Sequence, residues 1–382
     1  MSLTSFMDAP KRVFAGFALH AFAMGNIFPR IGDVQQAMGV GEGALGLALI
    51  GSPVGTLLAL TFGGPVVEKI GHKAVVTFGV LTVSILYALA IWAPSPVVFF
   101  LMLLPIGACI GAIEMVINLE SDRVEYATGR KIMNRSHAFW SLGFFVAGMC
   151  GAFMGQIGLT PQAHLALIVP LTGLGLWIFM RDFTPAPPRP VTDDVKVPRF
   201  VLPTGPVMLL VTVTLSAMLL EGGSIDWSAI YMRDEFGAGA FLAGLAVATA
   251  ALSQGIMRFV ADGLIERADP VKFARGMLVL LGAGCLLVVY SQVWWLSLIG
   301  FACIGVGSAP IFPMAMSAAA QRTDRPSEVN VASLAQFSFM TFMLAPPLLG
   351  LVAEHWGIRN SFAIGLPLVV LSLIAARSLA KK

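Results

Sequence analysis

Two glutamates stand where a charged side chain is hardest to keep. Glu114 lies within GACIGAIEMVINLES and Glu221 within LLEGGSIDWSAIYM, each embedded in a long apolar run. A carboxylate at bilayer depth is costly unless it finds a partner, water or a function. Because burial disfavours the charged form of a carboxyl, such a group can take up and release a proton as its surroundings change. Glu114 and Glu221 are therefore read as proton-coupling residues. Asn118 follows Glu114 by four residues and shares its helix face. Asp226 and Trp227 follow Glu221, while Gln336, Asn26 and His137 add neutral or weakly basic groups in other apolar runs. Amides, carboxylates and a stacking aromatic are the side-chain types that hold a small polar molecule. Asn118, Glu221, Asp226, Trp227, Gln336, Asn26 and His137 are accordingly the candidate substrate contacts.

Each candidate has a structural alternative. Glu114 can satisfy a hydrogen bond to a helix neighbour, Asp226 can be solvated near a helix end, and His137 can be packed at a helix interface. His20 is as readily a packed histidine as a relay member. Arg30 can pair with Asp33 as well as attract an anion.

The elements that must carry these residues follow from composition. Of 382 residues, 57% are hydrophobic and 12% charged, against about 25% charged in soluble domains. The mean hydropathy is +0.84. This is an integral membrane protein. A net charge of +3 gives no ground for a nucleic-acid partner. The four cysteines are dispersed through apolar runs with no CxxC pair, so neither disulfides nor a metal site are expected, and no cofactor motif is present. The run beginning VFAGFALHAFA resembles a leader peptide at its start, yet it continues to about Ile31 and is read as a first spanning segment over 12–34.

Roughly twelve such runs are counted, each expected to be a helix because a lipid-exposed backbone must satisfy itself. The Pro-rich stretch from Arg181 to Pro203 reads as an extended linker. It divides the chain into a first six-helix bundle over 1–181, a linker over 182–203 and a second bundle over 204–382. Twelve spans put Arg30, Arg233 and Arg359 on one side and the other 21 of the 24 Lys and Arg residues on the other. Positive charge marks the cytoplasmic side, so both termini are expected there. Gly222-Gly223, mid-span in the seventh run, is expected to interrupt its helix.

The two halves repeat. An offset of 198 lays Gly46-Leu47-Ala48 on Gly244-Leu245-Ala246 and the charged turn at Glu68-Lys69 on Glu266-Arg267. Parallel six-helix repeats place a substrate site between the halves of many secondary transporters. The turn Gly64-x-x-x-Glu68-Lys69-x-Gly71-His72-Lys73 resembles the loop motif of the major facilitator superfamily, G-x-x-x-D-R/K-x-G-R-R/K. It matches at Gly64, Lys69, Gly71 and Lys73 and departs at Glu68 and His72. The resemblance implies a latch between the halves that favours the outward-facing state, with Arg258 and Asp262 as the counterpart in the second half.

Gly111-x-x-Glu114-x-x-x-Asn118, with Glu221 ahead of small residues and aromatics, is similar to the fucose-permease branch of that superfamily. There the fourth-helix Glu is proton-linked and faces a sugar. A departure is Asn26, where that branch has a proton-linked Asp. The resemblance implies proton-coupled uptake of a small, sugar-like solute by a multi-pass, monomeric protein of a bacterial inner membrane, with protons, the solute and lipid as its partners. Efflux of drugs or metabolites is the alternative, and a transport-dead sensor a minor one. The fourth run has no Arg and the fifth no Pro, unlike drug/proton antiporters of the superfamily. No Walker loop or enzyme constellation is present.

Overall fold

The computed structural model describes residues 8–188, 200–265 and 267–380, and within them every regular element is helical. Arg189, Lys196, Arg199, Glu266, Lys381, Lys382 and the side chain of Asp262 lie outside the described residues. Glu266 and the Asp262 side chain belong to the expected second-half counterparts of the charged turn, and that part of the expectation lies outside the described residues.

The long helices are α1 (Ala9–Gly25), α2 (Glu42–Phe62), α3 (His72–Ala90), α4 (Pro96–Thr128), α5 (Met133–Gln156), α6 (Pro161–Met180) and α7 (Gly205–Phe236), followed by α8 (Ala240–Ile265), α9 (Pro270–Tyr290), α10 (Trp294–Ala320), α11 (Ser327–Trp356) and α12 (Ile358–Leu379). Eleven of them, all except α1, are long and apolar enough to cross a membrane. The face where α6 ends and α7 begins is termed the linker face.

The single run expected over 12–34 is corrected to a 17-residue helix, a 3-10 turn at Phe28–Arg30 and a short helix, Ile31–Met38. Its side chains explain the break. Asn26 turns back to donate to the Phe22 carbonyl at 2.7 Å, and Pro29 has no N–H to continue the ladder. Arg30 is buried and donates to the Leu159 carbonyl at 3.0 Å, His164 Nδ1 at 3.3 Å and Asp33 at 3.3 Å. The pairing with Asp33 is thus present, as part of a larger anchor.

The expected interruption of α7 is also corrected. It runs unbroken for 32 residues through Gly222 and Gly223. Glycine within a helix costs about 1 kcal/mol relative to alanine, but the space it leaves is occupied. A Cβ on Gly223 would fall 2.6 Å from the Leu349 side chain, and one on Gly222 3.4 Å from Ala345. The pair lets α7 lie close against α11, and the packing offsets the propensity.

The halves meet along two helix pairs, α5 with α8 and α2 with α11. Both crossings use small residues. A Cβ on Gly244 of α8 would fall 2.7 Å from Ala152 of α5, and one on Gly46 of α2 would fall 2.6 Å from the Pro346 carbonyl of α11. Close backbone approach of this kind is how membrane helices associate without a hydrophobic driving force.

Candidate functional site

Between the halves lies a cavity of about 140 Å³. Glu114 reaches it from α4 and Asp226 from α7, so a carboxyl from each half faces the same space. The remaining wall is largely aromatic and aliphatic, including Phe28, Tyr87, Trp140, Phe144 and Phe342. Trp140 stacks on Phe144, with ring centroids 5.2 Å apart.

Glu114 has a histidine beside it. His20 Nε2 of α1 lies 3.9 Å from its Oε1. His20 is fully buried, and neither ring nitrogen has a hydrogen-bond partner. Asp226 makes no hydrogen bond or ion pair among the described residues. The other candidates are placed differently. Glu221 lines a smaller adjoining cavity of about 10 Å³ that shares Trp140, Phe144 and Ile225 with the first and includes Gln254. It pairs with Arg258 Nη2 at 3.5 Å. Arg258 in turn donates to Ser141 Oγ of α5 at 3.1 Å, which ties the halves together.

Asn118 donates to the Glu114 carbonyl at 2.8 Å and meets His137 Nε2 through its Oδ1 at 3.2 Å. Neither Asn118 nor His137 lines the cavity. Asn26 Oδ1 faces His164 Nε2 at 3.1 Å, within the Arg30 anchor. Gln336 Oε1 accepts from the Val201 N–H at 3.1 Å, near the linker face. Trp227 is fully buried between helices, its indole packed so closely on α11 that a Cβ on Gly350 would fall 2.9 Å from it. It is absent from the cavity wall. The structure therefore brings Glu114 and Asp226 to one space, sets Glu221 beside it, and places Trp227, Gln336, Asn26, Asn118 and His137 away from it.

The charged turn lies at the linker face. Gly64 opens the short helix Gly64–Ile70, and Gly71 follows with φ 85°, a conformation only glycine adopts without strain. Glu68 and Lys69 are exposed, and Lys73 donates to the Arg181 carbonyl at 2.9 Å. Among the described residues none of the three bonds to the second half. His72 instead pairs with Glu120 of α4, which is buried and also meets Arg123 at 3.4 Å. Glu120 and Arg123 hold the start of the linker: the Ala186 N–H donates to Glu120 at 2.8 Å, and Arg123 donates to the Ala186 carbonyl at 3.4 Å. At the linker's far end the Thr204 hydroxyl donates to Asp324 at 2.7 Å. That bond, helped by Asn330 and Arg322, holds the Asp324 carboxyl below the usual range.

On the opposite face, bonds join the halves. Arg233 of α7 donates to the Gly32 carbonyl at 3.2 Å and to Gln35 Oε1 at 2.9 Å. Glu354 of α11 accepts from the Gly43 N–H at 3.0 Å. Sequence reasoning used Arg233 only to assign sides and passed over Glu354 and Glu120. Nothing local marks these roles, because the His72, Ala186, Gly43, Gly32 and Gln35 partners that define them are 48 or more residues away in the chain.

Comparison with known proteins agrees with this architecture. The chain is 28% identical over 355 residues to the uncharacterized transporter y4wD of Sinorhizobium fredii (strain NBRC 101917 / NGR234), covering 93% of each chain. Its fold is similar to that of the nucleoside transporter NupG, with a TM-score of 0.69 at 15% identity over 98% of each chain. It is likewise similar to the E. coli fucose:proton symporter FucP, with a TM-score of 0.61 at 17% identity over 98% of each chain. The sequence profile of the Major Facilitator Superfamily matches residues 13–234 and again 209–381. With both halves matched, and a cavity between them in a multi-pass helical fold, the chain is a transporter, not an enzyme, and belongs to the Major Facilitator Superfamily.

Proposed function

We propose that the protein couples proton movement to the uptake of one small polar solute by alternating access, as a twelve-pass monomer of a bacterial inner membrane with both termini cytoplasmic. One observation carries the reading: Glu114 and Asp226, from different halves, face a single space. When the halves rock, such a pair is exposed to each side of the membrane in turn, and a carboxyl moved between wet and dry surroundings exchanges its proton. With the opposite face shut by Arg233 and Glu354 and the Glu68 turn disengaged, the conformation corresponds to the state open towards the linker face.

Sugar-like solutes are the first class to test, since a fucose:proton symporter and a nucleoside transporter share the fold. Reconstituted protein given an inward proton gradient accumulates the solute, and collapsing the gradient releases it. Solute distribution that ignores the pH gradient would remove the coupling. A second reading, proton-driven export, is favoured by the largely aromatic wall, which suits an amphiphilic solute better than a polyol.

A further inference from the structure

The cavity wall narrows the solute, an inference that rests on the reading of this cavity as the coupled solute site. Among the described residues, the lining holds two carboxyls, Glu114 and Asp226, and no lysine, arginine or histidine. An anion entering it would give up hydration to meet two acids and no cation. Neutral hydrogen-bonding groups are few. The Thr56 hydroxyl is already committed to the Gly107 carbonyl at 3.0 Å, leaving Ser52, Tyr87 and the Trp140 indole. A sugar ring, with hydroxyls around its rim, would leave several of them unpaired. Cations are attracted by aromatic faces and by carboxylates alike. In size, the cavity of about 140 Å³ is close to the engineered cavity of about 150 Å³ that takes up benzene.

His20 is the second observation. A fully buried imidazole with neither nitrogen bonded is uncommon, and among the described residues Glu114 is the acid beside it, at 3.9 Å. Tyr87 of α3 is the other titratable group on the wall, and in the adjoining cavity Glu221 is paired with Arg258, which also bonds Ser141.

We infer that the solute is a small organic cation, a protonated amine on a single ring or an apolar group of that size, which binds Glu114 and Asp226 and displaces a proton from the His20–Glu114 pair. The charge balances: one ammonium enters, one proton leaves to water, and the net charge of the cavity is unchanged. Proton and solute thereby compete for the same carboxyls, so the coupling is an exchange in which an inward proton gradient drives the solute out, the second of the two readings above.

The test is calorimetry on the full chain in lipid nanodiscs with four probes: benzylamine, protonated at neutral pH, its neutral counterpart benzyl alcohol, benzoate and fucose. Benzylamine is expected to bind at least about tenfold more tightly than benzyl alcohol, with a heat that varies with buffer ionisation as a proton is released. Glu114→Gln and Asp226→Asn should bring the amine-to-alcohol ratio towards one, and His20→Gln should reduce the proton release, each in protein that still elutes as a single species. Benzoate or fucose binding more tightly than benzylamine, a ratio untouched by either carboxyl substitution, or no binding of any probe would overturn the inference. The transport reading fails separately: benzylamine that binds through the carboxyls but is not moved by a pH gradient across proteoliposomes leaves the solute class standing and removes coupled transport.

Discussion

Glu354 of α11 caps the first turn of α2 in the other half, its Oε2 accepting from the Gly43 N–H at 3.0 Å. The acid meets both an unsatisfied backbone donor and the positive end of a helix dipole. The glycines make the approach possible, since a Cβ on Gly43 would fall 2.0 Å from the same oxygen. Charge-assisted capping of this kind contributes up to about 2 kcal/mol, so Glu354→Ala should shift the population away from the shut opposite face by roughly fivefold to thirtyfold. Distances between spin labels on the outer ends of α2 and α11 would report it. Unchanged distance distributions would reduce Glu354 to a surface acid.

Glu221 and Arg258 are half-buried partners at 3.5 Å. Removing one member of a buried pair strands the other and costs about 3–5 kcal/mol, whereas replacing both by apolar residues is often neutral. Glu221→Ala alone should therefore lower Tm strongly, and Glu221→Leu with Arg258→Met should recover most of the loss. A double variant as unstable as the single one would show that the pair is not the source of the effect.

Trp227 fills the space between α7 and α11 and does not face the cavity. Truncating a buried tryptophan costs about 3–5 kcal/mol. Trp227→Ala is expected to cut stability by that order while the protein that remains folded keeps its solute affinity. Binding lost at unchanged Tm would place the indole in the site after all.

Much of this architecture was legible in the sequence because it depends on local composition. Apolar run length marks eleven of the helices, and charge depletion makes Glu114 conspicuous in α4. What stayed hidden depends on distant partners. Glycine pairs such as Gly222-Gly223 look the same whether they break a helix or seat it on a neighbour, and only Leu349 and Ala345 of α11 decide the matter. Trp227 and Asp226 are adjacent in sequence but point to different places, since neighbouring residues sit about 100° apart around a helix. The first run continued past Gly25 in hydropathy, yet Asn26 and the buried Arg30 end the helix through bonds to Phe22, Leu159 and His164. His72 stood where the resemblance has Arg, and its partner, Glu120, is 48 residues away.

Glu120 ties α3, α4 and the linker together through His72, Arg123 and Ala186. Hydrogen bonds to a charged group contribute about 1.5–3 kcal/mol each, so Glu120→Ala should release the segment around Ala186 before the bundle unfolds. Limited proteolysis would show faster cleavage between Phe183 and Pro188 at temperatures well below Tm. Equal cleavage rates in the variant and the parent would contradict the clamp.

The central claim is that Glu114 carries the coupled proton, and accumulation measured against exchange in proteoliposomes tests it most directly. With a solute that binds both the wild-type protein and the variant, Glu114→Gln should abolish pH-driven accumulation while solute exchange between the two sides continues, because a neutral amide keeps the shape of the cavity but does not titrate. A Gln variant that still concentrates the solute against its gradient when driven by pH would contradict the account.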